Sequence, residues 1–286
     1  MSWNQITVDV PDNLKDAVVG ALSDNGVAGL WEQSSPGFGV TRVVIYFAAA
    51  CDLDAVEQNI RRLFARSQCG APSMSRSMVE EMDWTEEWKR SYKSFPIGEA
   101  FFVIPSWIET ACPQGRFPIR IDPGQAFGTG THETTQLTLE ALERWVDPRH
   151  VVLDVGTGSG ILTIASHLLG AGQVFACDID PDAVVVARNN MDRNSAQHVG
   201  AFCGSTDSIQ NNSIHLLLGN LTADVIADLF PEFNRVLTSQ GLVVLSGILT
   251  EQREDMVQLL HKSHYLIHEE CFRGEWLALV AEKHVA

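Results

Sequence analysis

Chemistry is suggested first by Asp154-Val155-Gly156-Thr157-Gly158-Ser159-Gly160 and, further on, by Asp178. Glycines at alternate positions let the backbone pass close to a ligand, because no Cβ stands in the way. A helix starting directly after such a turn has free N–H groups that suit a polar or anionic ligand. Asp178 follows Gly156 by roughly 20 residues, the separation at which an acid closing the next strand meets a ribose diol. These positions predict a nucleoside site, with Gly156 and Gly158 beneath the ligand and Asp178 at its sugar. A turn that only packs helix on strand would carry the same glycines, but it has no need of Asp178. The third glycine comes one residue too early for the G-x-G-x-x-G of dinucleotide sites, which argues against NAD.

Two further stretches could complete the site. In DPGQAFGTGTHETT, residues 122–135, Gly124, Gly128 and Gly130 make a loop around the aromatic Phe127, and a helix begins within Thr131–Thr135. The threonine hydroxyls and free N–H groups at that helix start could hold a carboxylate. In GNLTA, residues 219–223, Asn220 stands at the end of a strand, where its amide oxygen could accept hydrogen bonds from a substrate amine. His132 is a candidate acceptor for that amine's proton.

The elements that must place these residues alternate strand and helix. Val151–Val155 is a short β-branched run, as expected of a strand buried on both faces. A helix with Ile161, Leu162, Ala165, Leu168 and Leu169 follows the glycine turn, and Val174–Cys177 leads as a second strand into Asp178. Pro181 suits the first position of the next helix, which continues through Ala183, Val184, Ala187 and Met191. Further strands are predicted at Val199–Gly204, Ile214–Leu218 and Gly241–Ile248. A helix is predicted at Glu251–His261, and a terminal hairpin of Tyr265–Cys271 with Glu275–Glu282 follows. Upstream, Pro96–Trp107 and Gly115–Asp122 read as two strands. The fold class is therefore α/β, with a doubly wound sheet.

Residues 1–82 read as a separate α+β unit. A strand over Trp3–Val10, a helix with Leu14, Ala17, Val18, Ala21 and Leu22 on one face, strands over Val27–Gln33 and Thr41–Ala48, a helix capped by Asp52 or Asp54, and a strand over Ser73–Met82 give the βαββαβ order of a ferredoxin-like unit. No chemistry is evident in it, so binding is its expected role. Residues 83–95 are expected to form a linker helix, with Asp83 and Glu86 as a capping box and Trp84, Trp88 and Tyr92 on one face. The second domain then spans 96–286.

Composition narrows the function classes. A formal net charge of −16 argues against general binding to a phosphate backbone and suits a basic partner. The six cysteines, at positions 51, 69, 112, 177, 203 and 271, form no C-x-x-C pair, which predicts reduced thiols and a cytoplasmic protein. No run approaches the roughly 20 apolar residues of a membrane span, and the N-terminus lacks a signal-peptide pattern. No metal site is expected. Asp178, Asp180 and Asp182 alternate like a calcium loop but lack its glycine and its closing glutamate, and His261, His264 and His268 share no face.

Asp-x-Gly-x-Gly-x-Gly at 154–160 resembles the first motif of the class I methyltransferases, which bind S-adenosylmethionine (SAM). With DPGQAFGTGTHETT, LDVGTGSGILTIA, DIDPDAV and GNLTA together, the chain closely resembles the PrmA family, bacterial methyltransferases of the large-subunit ribosomal protein numbered eleven. The likeness runs from about Trp84 to the end and is one of layout more than motif before that. It implies a class I SAM domain with an N-terminal ferredoxin-like domain that docks the ribosomal protein. The implied reaction is repeated methylation of its α-amine and lysine ε-amines. The family's cofactor contacts carry over to Thr135, Gly156, Asp178 and Asn220. Thr157 stands where many relatives have Cys, and GNLTA replaces the commoner ANILA; neither change removes a polar group. Three rival readings are a SAM methyltransferase of another protein or a small molecule, an NAD oxidoreductase, and a non-catalytic ribosome-binding module.

Overall fold

A computed structural model of the chain describes residues 2–11, 14, 18, 27–34, 40–48, 51–67, 70–80, 93–122, 128–196 and 199–284. The chain divides into two compact units, Met1–Ser91 and Tyr92–Ala286.

In the first unit, β1 (Ser2–Pro11) pairs antiparallel with both β3 (Val40–Ala48) and β4 (Ser73–Glu80), and β2 (Val27–Ser34) adds to β3. The strand order β2-β3-β1-β4 is that of a ferredoxin-like sheet. Period-two alternation puts Ile6, Val8 and Val10 on one face, all fully buried. Helix α1 (Leu53–Arg66) is capped by Asp52, which accepts from the backbone N–H groups of Asp54 and Ala55. It lays Val56, Ile60 and Phe64, one helical turn apart, on that same core. Leu14 and Val18, from the stretch expected to be a helix, join them there.

In the second unit, β5 (Phe95–Ile97), β6 (Phe101–Pro105) and β7 (Phe117–Ile121) form a small sheet. The single strand expected over Pro96–Trp107 is thus two antiparallel strands with a turn at 98–100. Tertiary bonds make the break. Glu143 accepts from the backbone N–H groups of Glu99 (3.0 Å) and Ala100 (2.9 Å), and Arg116 Nη1 donates to the carbonyls of Gly98 (2.9 Å) and Phe101 (2.8 Å). Most of the expected linker helix, with Trp84, Trp88 and Tyr92, lies outside the described residues. Residues 93–95 are not helical, as the residue before Pro96 is biased to extended backbone.

The main sheet follows. After helix α2 (Glu133–Trp145) come β8 (Val151–Val155), α3 (Ile161–Leu168), β9 (Gln173–Asp178), α4 (Pro181–Arg193), β10 (Gly200–Cys203), β11 (Ile214–Asn220), α5 (Ala223–Val236), β12 (Leu237–Leu249), α6 (Arg253–Lys262), β13 (Tyr265–Arg273) and β14 (Trp276–Lys283). The order is β10-β9-β8-β11-β12-β14-β13, and β14 alone runs opposite to the other strands. The two faces bury separate cores. Val152, Leu216, Leu218 and Val244 pack with α2, α3 and α4, while Leu153, Leu217, Val243 and Leu245 pack with α5 and α6. Strands covered on both faces explain why they read as unbroken apolar runs.

Helix α5 was not foreseen between Asn220 and Gly241. Pro231 lies inside it and forgoes one backbone hydrogen bond, yet Ile226, Phe230, Phe233 and Val236 keep a buried helical stripe on either side. Strand β12 also begins earlier than expected, at Leu237, and the expected helix at 251 opens with a 3₁₀ turn, Thr250–Gln252.

Candidate active site

The strand order reverses between β8 and β11, which open a crevice at their carboxyl ends. The glycine turn leaves β8 there and Asn220 ends β11, so the topology itself brings the two motifs together. A cavity of about 600 Å³ occupies the crevice.

The glycine turn is stitched to the neighbouring strand. Gly156 N–H (2.9 Å) and Thr157 N–H (3.1 Å) both donate to the Cys177 carbonyl, and Gly158 N–H donates to Asp178 Oδ2 at 2.9 Å. The Asp178 Oδ1 accepts from Asp180 N–H at 3.1 Å, which fixes the carboxylate at the cavity edge. Each oxygen keeps a second lone pair for a hydroxyl donor. Gly156 has φ +72°, and a Cβ on it would come within 2.5 Å of Leu221 Cδ2. Only glycine satisfies both demands.

Asp154, the first residue of the motif, is fully buried. Its Oδ2 accepts from the hydroxyls of Thr157 (2.7 Å) and Thr163 (2.6 Å), while its Oδ1 has no partner. Burial pushes this carboxyl up to about 6, against the lowering effect of the two threonines.

Across the cavity, His132 caps α2. Its Nδ1 accepts from Thr134 N–H (3.3 Å) and bonds the Thr134 hydroxyl (2.8 Å). With Nδ1 as acceptor, a neutral His132 carries its proton on Nε2. The Trp276 ring stands edge-on to His132, with centroids 5.0 Å apart. Asn220 Nδ2 donates to Thr135 Oγ1 at 3.4 Å.

Five of the residues singled out in the sequence line this one cavity: His132, Gly156, Gly158, Asp178 and Asn220. Thr135 does not. It is fully buried one layer behind and holds Asn220. The other threonines of the helix start are engaged as well, Thr131 with Thr129 and Thr134 with His132. Phe127 lies outside the described residues. Sequence reasoning missed Ile179, Leu221, Gly247 and Trp276, which also line the cavity. Ile179 carried a usable signal, as an apolar residue directly after the strand-end acid Asp178; it stays 81% exposed at the cavity edge.

A family model described as ribosomal protein L11 methyltransferase (PrmA) matches residues 2–284. The chain belongs to the PrmA family. A ribosomal protein L11 methyltransferase of Thermoanaerobacter pseudethanolicus is 34% identical, with 99% of this chain and 100% of that protein aligned. One of Streptococcus equi subsp. zooepidemicus is 32% identical, with 99% of this chain and 96% of that protein aligned. The crystal structure of a ribosomal protein L11 methylase from Lactobacillus delbrueckii subsp. bulgaricus superposes with a TM-score of 0.63 at 32% identity, covering 68% of this chain and all of that one. As a PrmA-family member the chain is a SAM-dependent methyltransferase with the class I fold, which sets aside the NAD oxidoreductase and the non-catalytic module.

Proposed function

We propose that the crevice holds SAM and that the enzyme methylates amino groups of ribosomal protein L11. The observation that carries this reading is the joining, in one cavity, of a fixed carboxylate at Asp178, a glycine floor at Gly156 and Gly158, and an amide at Asn220. The residues fit the cofactor. Asp178 has lone pairs left for a ribose diol, Ile179 gives an exposed apolar face for a purine, and the cavity is mainly apolar elsewhere. SAM supplies a methyl group already activated by its sulfonium charge.

The chain's own task is then to align an amine lone pair with that methyl. The hydrogen bonding of Asn220 supports such a role. With Nδ2 held by Thr135, its Oδ1 is the amide atom left to accept from the amine. Trp276 and His132 form an aromatic wall beside it, a surface that suits the alkyl stem and positive head of a lysine. The sequence offers His132 as the proton acceptor, but an N-capping Nδ1 favours a positioning role, with the amine's proton passing to water. An α-amine near 8 releases it more readily than a lysine near 10.4.

The net charge of −16 supports a basic protein substrate over a phosphate backbone. The first unit is the candidate docking module, since its sequence offers no catalytic constellation. Among the described residues no helix is long and apolar enough to cross a membrane. The cytoplasm, with its reduced thiols, is the expected location. Incubating the enzyme with labelled SAM and a bacterial lysate tests the substrate. Label in one small ribosomal protein supports the proposal, and label only in small molecules or in unrelated proteins rejects it.

A further inference from the structure

The aromatic wall is assembled from two elements distant in sequence, and Arg273 bridges them at the end nearest the wall. His132 heads α2, and Trp276 opens β14 after the tight turn at Gly274. Arg273, the last residue of β13, sits just before that turn. Its Nη1 donates to Gln136 Oε1 at 2.8 Å, and its Nη2 donates to both carboxylate oxygens of Glu140 at 3.1 Å. Gln136 and Glu140 are one helical turn apart on α2, so the planar guanidinium spans both. Gln136 extends the chain of bonds. Its Nε2 donates to the carbonyl of Thr131 at 3.0 Å, immediately before His132. A continuous path therefore runs from the turn carrying Trp276, through Arg273 and Gln136, to the residue preceding His132. The ring contact at 5.0 Å closes the circuit.

Two further arginines pair with the hairpin. Arg144, in the last turn of α2 and far along it from His132, binds Glu269. Arg253 on α6 binds Glu270 in a bidentate pair, and its side chain is 39% exposed, beside 35% for Arg273. Pairs this exposed add little stability, so a pair joined to the wall is set apart by what it positions. We infer that Arg273, through Gln136 and Glu140, is a positioning residue for methyl transfer, fixing Trp276 against His132 so that the substrate amine meets a preformed wall. This rests on the reading that the wall contacts the amine. Loss of the clamp then misplaces the wall without touching the glycine floor or Asp178, and turnover falls while the affinity for SAM holds.

The test compares Arg273→Gln, Gln136→Leu, Arg253→Gln and Trp276→Ala in kcat and KM for ribosomal protein L11, in Kd for SAM and in the unfolding midpoint. Arg273→Gln and Gln136→Leu are expected to lower kcat on the order of tenfold, below the roughly hundredfold cost of a 1 Å misplacement. SAM affinity is expected to stay within about twofold, and Arg273→Lys to recover part of kcat. Arg253→Gln is expected to leave kcat unchanged. Should Arg273→Gln fold poorly, Gln136→Leu and Glu140→Gln break the same path from the helix side. If Trp276→Ala lowers kcat while Arg273→Gln and Gln136→Leu match Arg253→Gln, the clamp has no positioning role. If Trp276→Ala itself turns over like wild type, the reading of the wall falls, and the inference with it.

Discussion

Asn220 Nδ2 donates to Thr135 Oγ1 at 3.4 Å, joining the carboxyl end of β11 to the first turn of α2 across 85 residues of sequence. On the proposed reading, that bond sets which amide atom is left for the substrate amine. Thr135→Val removes the acceptor, leaves the Asn220 amide free to rotate and is expected to lower kcat several-fold. Asn220→Ala removes the orienting oxygen altogether and is expected to cost about 10- to 100-fold in kcat/KM. Steady-state kinetics with saturating SAM separates the two. Equal activity in both variants and wild type would remove Asn220 from the mechanism.

Asp178 holds Gly158 N–H and Asp180 N–H besides facing the cavity. Replacing it with Ala is expected to weaken SAM binding roughly 10- to 100-fold, the equivalent of losing hydrogen bonds to a charged group. Calorimetric titration measures this directly. Asp178→Asn keeps one acceptor oxygen and should fall between wild type and Ala.

The buried Asp154 carboxyl makes stability depend on pH. Burial lifts its carboxyl from 3.8 to about 6 in the folded chain, so between those values the folded state binds more protons than the unfolded one. The carboxyl's contribution to stability therefore falls as pH rises through that window, by on the order of 2–3 kcal/mol in total. Asp154→Asn carries no such charge. Its stability relative to wild type should climb from about pH 4 to about pH 6 and then level off, read from denaturant unfolding. A difference that stays flat across that range would mean the buried carboxyl titrates near its ordinary value.

Gly247 lies in β12 with φ +83°, and a Cβ there would come within 2.3 Å of the Leu221 carbonyl oxygen. Gly247→Ala is expected to destabilise the protein by roughly 1–3 kcal/mol and to push Leu221 into the cavity. Thermal unfolding with and without SAM checks both effects. The midpoint should drop, and the stabilisation by SAM should shrink.

The parts legible in the sequence are those encoded locally. Val151–Val155, the glycine turn and Asp178 announce themselves because a doubly covered strand, a turn needing positive φ and a strand-end acid each restrict residue type at fixed short spacing. Asn220 could be placed because it follows directly on a buried strand. Trp276 and Gly247 could not. Their place at the crevice depends on β14 inserting antiparallel beside β12, and nothing in Arg273-Gly274-Glu275-Trp276 encodes which strand the hairpin will join. A cofactor contact at Thr135 is implied by the family resemblance, whereas its burial follows from the helix rotation set by α2 packing on the sheet. The turn at 98–100 was hidden for a similar reason, since the carboxylate that caps it lies more than 40 residues away at Glu143.

On the proposed reading, this crevice brings SAM and an amine of ribosomal protein L11 together. Intact-protein mass spectrometry of purified L11, incubated with SAM and either the wild-type enzyme or Asp178→Ala, tests it most directly. Wild type is expected to give a ladder of methyl-sized mass increments, strongly reduced with the variant and placed by peptide mapping on amino groups. L11 of unchanged mass alongside wild-type enzyme that demonstrably binds SAM would contradict it.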